Sequence, residues 1–91
     1  MSERLELIRN TLQRALHPVS LEVEDESWKH AGHAGARESG GGHFSVYIVA
    51  GCFAGQSRLE RHRLVYEALG TQFADIIHAL SIHAAAPGEQ P

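Results

Sequence analysis

Three stretches of this chain alternate apolar and polar residues at a period of two, the pattern of strands that bury one face and wet the other. In Leu21-Glu22-Val23-Glu24-Asp25 the apolar residues interleave with acids. From His43 to Ala50, Phe44, Val46 and Ile48 fall on one side and His43, Ser45 and Tyr47 on the other. Further on, Ile76, His78, Leu80 and Ile82 alternate with Ile77, Ala79, Ser81 and His83. A sheet of three such strands has an apolar face that must be covered, and the sequence between them supplies the cover.

Leu5, Ile8, Leu12 and Leu16 recur at spacings of three and four, which places them on one stripe of a helix that Ser2 can cap. Pro18 stops it, because the residue before a proline is pushed out of the helical region. A second helix is announced by the S-x-x-E capping box of Ser57 and Glu60, in which each side chain satisfies a free backbone amide. Leu59, Val65, Tyr66, Ala68 and Leu69 are expected on its buried side, and Gly70 fits the position where a left-handed residue ends a helix.

The order α-β-β-α-β is too short for a doubly wound sheet and sufficient for two layers. The predicted fold class is therefore α/β in the broad sense, of α+β type, with a three-stranded mixed sheet. Strands one and two pair antiparallel; strand two, the second helix and strand three form a right-handed crossover whose strands run parallel. Leu21, Val23, Phe44, Val46, Ile48, Leu80 and Ile82 then point at the helices. Glu22, Glu24, Ser45, Tyr47, Ser81 and His83 occupy a face left in water. A chain of 91 residues supports one core, so residues 1–91 are expected to form a single domain. Residues 26–42 hold five glycines, three alanines and two histidines without periodicity and are expected to be a mobile loop; the tail, residues 85–91, is expected to fray.

No apolar run approaches the roughly 20 residues that span a bilayer, and the N-terminus lacks a signal peptide's basic-then-apolar layout, so no membrane is expected and the cytoplasm is the expected compartment. Cys52 is the only cysteine, which excludes an internal disulfide and a four-thiolate metal site. It reads as a small residue at the edge of the core or as a reactive thiol. Net charge is −3 with histidines neutral, so any nucleic-acid contact needs a local patch rather than a global field. No nucleophile elbow, phosphate-binding P-loop, H-E-x-x-H helix or CxxC pair is present, and an enzyme is not expected. Gly40-Gly41-Gly42 precedes a strand rather than a helix and reads as a hinge.

The unusual count is seven histidines: His17, His30, His33, His43, His62, His78 and His83. Histidine is a common metal ligand and the side chain that titrates nearest neutrality. His30 and His33 sit in the glycine-rich loop, either solvated or free to swing toward a metal or a partner. His78 falls on the apolar side of the third strand, where a neutral imidazole is hydrogen-bonded or ligates something. His62 lies between Arg61 and Arg63; with Arg58 these make a small basic cluster that suits an acidic partner or a phosphate, or equally a solvated helix face. His62, by its spacing from Leu59 and Tyr66, also reads as a residue packed at the boundary of the core, and His17, His43 and His83 read as structural or surface residues.

Taken together, Leu21-Glu22-Val23-Glu24-Asp25-Glu26-Ser27, His43-Phe44-Ser45-Val46, Phe53-Ala54-Gly55, Arg61-His62-Arg63-Leu64-Val65-Tyr66 and Ile77-His78-Ala79-Leu80-Ser81-Ile82 resemble the BolA family over most of the chain. The resemblance implies a type II KH-like fold and a non-enzymatic role in iron-sulfur and iron homeostasis beside a monothiol glutaredoxin, with which a 2Fe-2S cluster is shared. By position His78 matches the family's C-terminal ligand histidine and His30 the variable loop ligand, with His33 as the alternative in a longer loop. The glutaredoxin cysteine and its bound glutathione would supply the other two ligands, a Rieske-like set in a chain poor in thiolates. Such imidazoles bind only when neutral, so cluster loss is expected as pH falls toward about 6.5.

The family is also linked to transcription regulation, the second functional class. Here the G-x-x-G loop by which KH domains clamp a nucleic-acid backbone is missing, and Arg58, Arg61, Arg63 and Lys29 supply the positive charge, with His62 among them. Direct DNA binding is expected to be weak and salt-dependent. Relatives commonly carry Pro-x-x-Trp near the end, where this chain has Pro87-Gly88-Glu89-Gln90; Trp28 in the loop is a candidate to cover part of a partner instead. A zinc site of His30, His33 and His78 is a third reading.

Overall fold

The computed structural model describes residues 3–26, 42–73 and 77–89. The first helix, α1, spans Glu3–Leu16 and buries Ile8 and Leu12 completely. The Ser2 cap lies outside the described residues. At the other end His17 leaves the helix with φ of +47°, its N–H still bonded to the Gln13 carbonyl at 3.2 Å, and Pro18 prevents any further turn. Strand β1 (Ser20–Asp25) follows, then β2 (Gly42–Val49), a 3-10 turn at Gly51–Phe53, helix α2 (Arg58–Leu69), a second 3-10 turn at Thr71–Phe73, and β3 (Ile77–Ala85).

The sheet order is β1-β2-β3, with β1 antiparallel and β3 parallel to the central β2. This is the mixed sheet and α-β-β-α-β order expected from the alternation. Val23, Phe44, Val46, Ile48 and Ile82 present the buried face to Ile8 and Leu12 of α1 and to Val65 and Leu69 of α2. Phe53 and Phe73, one in each 3-10 turn, close the ends of this core. Each fully buried aliphatic or aromatic side chain contributes about 1.5–3 kcal/mol from desolvation alone.

Helix α2 begins as expected: the Ser57 hydroxyl accepts from the Glu60 N–H at 3.1 Å and the Glu60 carboxylate accepts from the Ser57 N–H at 3.3 Å. Gly70 ends it with φ of +79°. Its buried side differs from the expectation, since Leu59 is 62% and Tyr66 53% exposed. Seven residues apart, those two share one side of the helix, whereas Val65 and Leu69 share another about 90° round. Two apolar stripes compete, and packing against α1 and the sheet takes only the second.

Two further differences concern polar residues. Ser45, expected on the wet face, is 3% exposed: it sits mid-sheet between Glu24 and Ser81, and its hydroxyl donates to Glu26 Oε1 at 2.5 Å. The tail, expected to fray, is ordered through Glu89. Ala85 and Ala86 are buried, and the Glu89 N–H returns to the Ala86 carbonyl at 3.1 Å across Pro87 and Gly88, whose φ of +89° suits the third position of a type II turn.

Arg61 holds that turn in place. Its Nε donates to the Gln56 carbonyl at 3.0 Å and its Nη1 to the Ala84 carbonyl at 3.2 Å, while Nη1 and Nη2 fork onto the two Glu89 oxygens. The Ala85 carbonyl accepts from Ala50 N–H on the β2 side. By the alternation of a strand, the Ala84 carbonyl therefore faces away from β2, at the outer edge of the sheet.

Candidate functional site

The sheet registers place the His78 backbone and the residues flanking 27–41 at one end of the sheet. Asp25, where the chain leaves β1, pairs with Phe44, and Gly42, where it re-enters β2, pairs with Ile77. Between the pairs Gly42–Ile77 and His43–Ala79, one step on β2 matches two on β3, so His78 is the extra residue of a β-bulge. Its backbone thus lies beside the anchor of residues 27–41 at Gly42 and two strands from the anchor on β1. The His78 side chain and all of His30 and His33 lie outside the described residues, as do the expected loop mobility, Trp28 and Lys29.

Reach is the test of whether these residues fit a shared metal group. Two strand spacings separate the end of β1 from β3, about 10 Å. The four residues from Glu26 to His30 span up to about 13 Å when extended. A segment of that length can cross from β1 to β3, so chain length permits His30, or His33 between the same anchors, to approach His78 as two ligands of one iron would require. Among the described residues no group of three or more His, Cys, Asp or Glu side chains is placed to hold a metal ion, and the side chains of the zinc set lie outside the described part of the chain.

The basic cluster on α2 divides. Arg58 and Arg63 are exposed. Arg61, expected among the contact residues, is engaged by the Gln56 and Ala84 carbonyls and by the Glu89 carboxylate, and its side chain is 14% exposed. The Glu89 hydrogen bonds, opposed by partial desolvation and aided by the carboxylate's charge, raise its already high pKa. His62 is half-buried at the rim of a groove of about 530 Å³ that also takes in Glu22, Tyr47, Arg58 and His83. In that groove the Tyr47 and His83 rings stack with centroids 4.6 Å apart and 6° between planes. Sequence reasoning put both residues on the open face without pairing them; the parallel register, which sets them side by side, is the signal that was needed.

The family described as BolA-like protein matches residues 12–89. The chain belongs to the BolA family. It is 48% identical over 86 residues to the SufE-like protein 1, chloroplastic/mitochondrial, of Arabidopsis thaliana, covering 90% of this chain and 23% of that protein. The solved BolA domain of SufE1 from Arabidopsis thaliana superposes with a TM-score of 0.83 at 42% identity, covering 99% of each chain. The DNA-binding transcriptional regulator BolA of Escherichia coli (strain K12) is 40% identical over 78 residues, 86% of this chain and 70% of that one. The chain thus spans about a quarter of the SufE-like relative. No described helix is long and apolar enough to cross a membrane.

Proposed function

We propose that this BolA chain is a non-catalytic adaptor that pairs with a monothiol glutaredoxin and shares a 2Fe-2S cluster with it. His78 and one loop histidine, His30 or alternatively His33, would hold one iron, and the glutaredoxin cysteine and glutathione the other. The observation that carries this reading is the convergence of the His78 bulge and both ends of the loop at one end of the sheet. When bound, such a cluster supplies a one-electron couple whose potential two imidazoles raise. This chain's part is to present neutral imidazoles from a rigid strand and an adjacent loop, so that ligation depends on docking of the partner. The cytoplasmic setting belongs to the same reading.

The test is to mix the purified chain with a holo monothiol glutaredoxin and record visible absorption and circular dichroism. A cluster spectrum that shifts with the wild type and not with His78→Ala supports shared ligation. An unchanged wild-type spectrum overturns it.

A second reading, DNA binding, is favoured by the Escherichia coli relative's name and by the exposure of Arg58 and Arg63. A gel shift at about 150 mM salt decides it: sequence-selective binding weakened by Arg63→Gln supports it, and binding without sequence preference, or none, removes it.

A further inference from the structure

The end of the sheet opposite His78 carries its own chemistry. The groove there runs from the start of β1 across the ends of β2 and β3 to the first turn of α2, and its volume falls within the range of small-molecule sites. Glu22, Tyr47 and His83 form one row across the three strands. Tyr47 covers one face of the His83 ring; because β3 is an edge strand, the other face looks outward past the sheet. Arg58 and His62, one turn apart on α2, supply the opposite wall. Neither Arg58 nor Glu22 has an ion-pair partner among the described residues, in contrast to Arg61, whose charge is met by Glu89.

These groups ask for two features in one ligand. A flat ring suits the face of His83 turned away from Tyr47, and an anion suits Arg58, whereas Glu22 lies across Tyr47 and His83 from that face and takes no part. An apolar ligand would leave Arg58 desolvated without a partner, and a bare phosphate would leave the ring stack unused. We propose that the groove is a mononucleotide site: the base continues the Tyr47–His83 stack, and the phosphate is held by Arg58 with His62 beside it. The site is separate from the cluster end of the molecule and does not depend on it.

The experiment is a ¹H-¹⁵N NMR titration of the full chain with AMP, with adenosine and ribose 5-phosphate as half-ligands. Saturable shifts are expected at residues 47, 58–62 and 82–84, with each half-ligand binding about tenfold or more weakly. Arg58→Gln and His83→Ser, both at exposed positions, are expected to weaken AMP about tenfold each without changing the wild-type spectrum elsewhere. His78→Ala, which removes the proposed cluster ligand, is expected to bind AMP as the wild type does, so failure of cluster sharing and failure of this site read out separately. The proposal is overturned if about 10 mM AMP produces no saturable shifts, or if the Arg58→Gln/His83→Ser double variant titrates as the wild type. It is also overturned if a short single-stranded oligonucleotide binds the groove and AMP does not, which would assign the surface to nucleic acid.

Discussion

Arg61 on α2 grips Glu89 in the C-terminal turn through both arms of its guanidinium, Nη1 to Oε1 at 2.7 Å and Nη2 to Oε2 at 3.0 Å. That fork, followed by the Ala86 N–H at 2.9 Å, holds the Glu89 carboxyl well below the ordinary carboxylate range, from 4.5 to about 2. A folded-state pKa below the unfolded one stabilises the native state at pH values above the unfolded pKa. The contribution is therefore fully present above about pH 4.5 and drains away as pH falls toward about 2. Glu89→Gln is expected to melt below the wild type at neutral pH and to converge with it in acid. Thermal melts followed by circular dichroism across that window check this, and a gap that stays constant down to about pH 2 would exclude it.

Ser57→Ala removes the acceptor of the Glu60 N–H bond and undoes the capping box. It is expected to cost about 1 kcal/mol, with Ser57→Gly costing only a few tenths. Urea denaturation monitored by helix ellipticity measures both.

Phe53 is fully buried in the turn between β2 and α2, so Phe53→Ala is expected to cost about 3–5 kcal/mol, a large part of the stability of a domain this size. Leu59→Ala, on the exposed stripe of α2, is expected to change stability by no more than about 0.5 kcal/mol. Equal losses for the two would contradict the packing described for α2.

If His78 and a loop histidine hold the cluster in the complex with glutaredoxin, protonation competes with ligation. The visible spectrum is expected to fade as pH falls through about 6.5, the ordinary histidine value. A spectrum stable to about pH 5 would count against imidazole ligands.

Most of the architecture was legible because it rests on local patterns. The alternation in β1 and β2, the S-x-x-E box at Ser57 and Glu60, and the order of elements all translate directly into backbone. What was not legible depends on tertiary choice. Leu59 and Tyr66 are apolar enough to compete with the residues that α2 buries, and only the positions of α1 and the sheet decide between the stripes. Ser45 is polar yet buried because Glu26 closes over it, a pairing 19 residues apart. Glu89 reads as one more solvated acid in a Pro-Gly-rich tail until Arg61, on another element, is seen to reach it. At the candidate site, the residue types at His78, His30 and His33 were readable, and the bulge that singles out His78 was not, since a register shift is a property of two strands.

The Arg61 contact to the Ala84 carbonyl also bears on how the molecule behaves in a crowd. β3 is an edge strand of nine residues, Ile77–Ala85, without a single charged side chain, while the other edge, β1, carries Glu22, Glu24 and Asp25. An uncharged edge invites a neighbouring chain to add its own strand. Here the outward carbonyl that such a strand would use near the end is already occupied, and the turn clamped by Glu89 stands next to it. Loosening that clamp would leave the native sheet intact and free this part of its edge for an added strand.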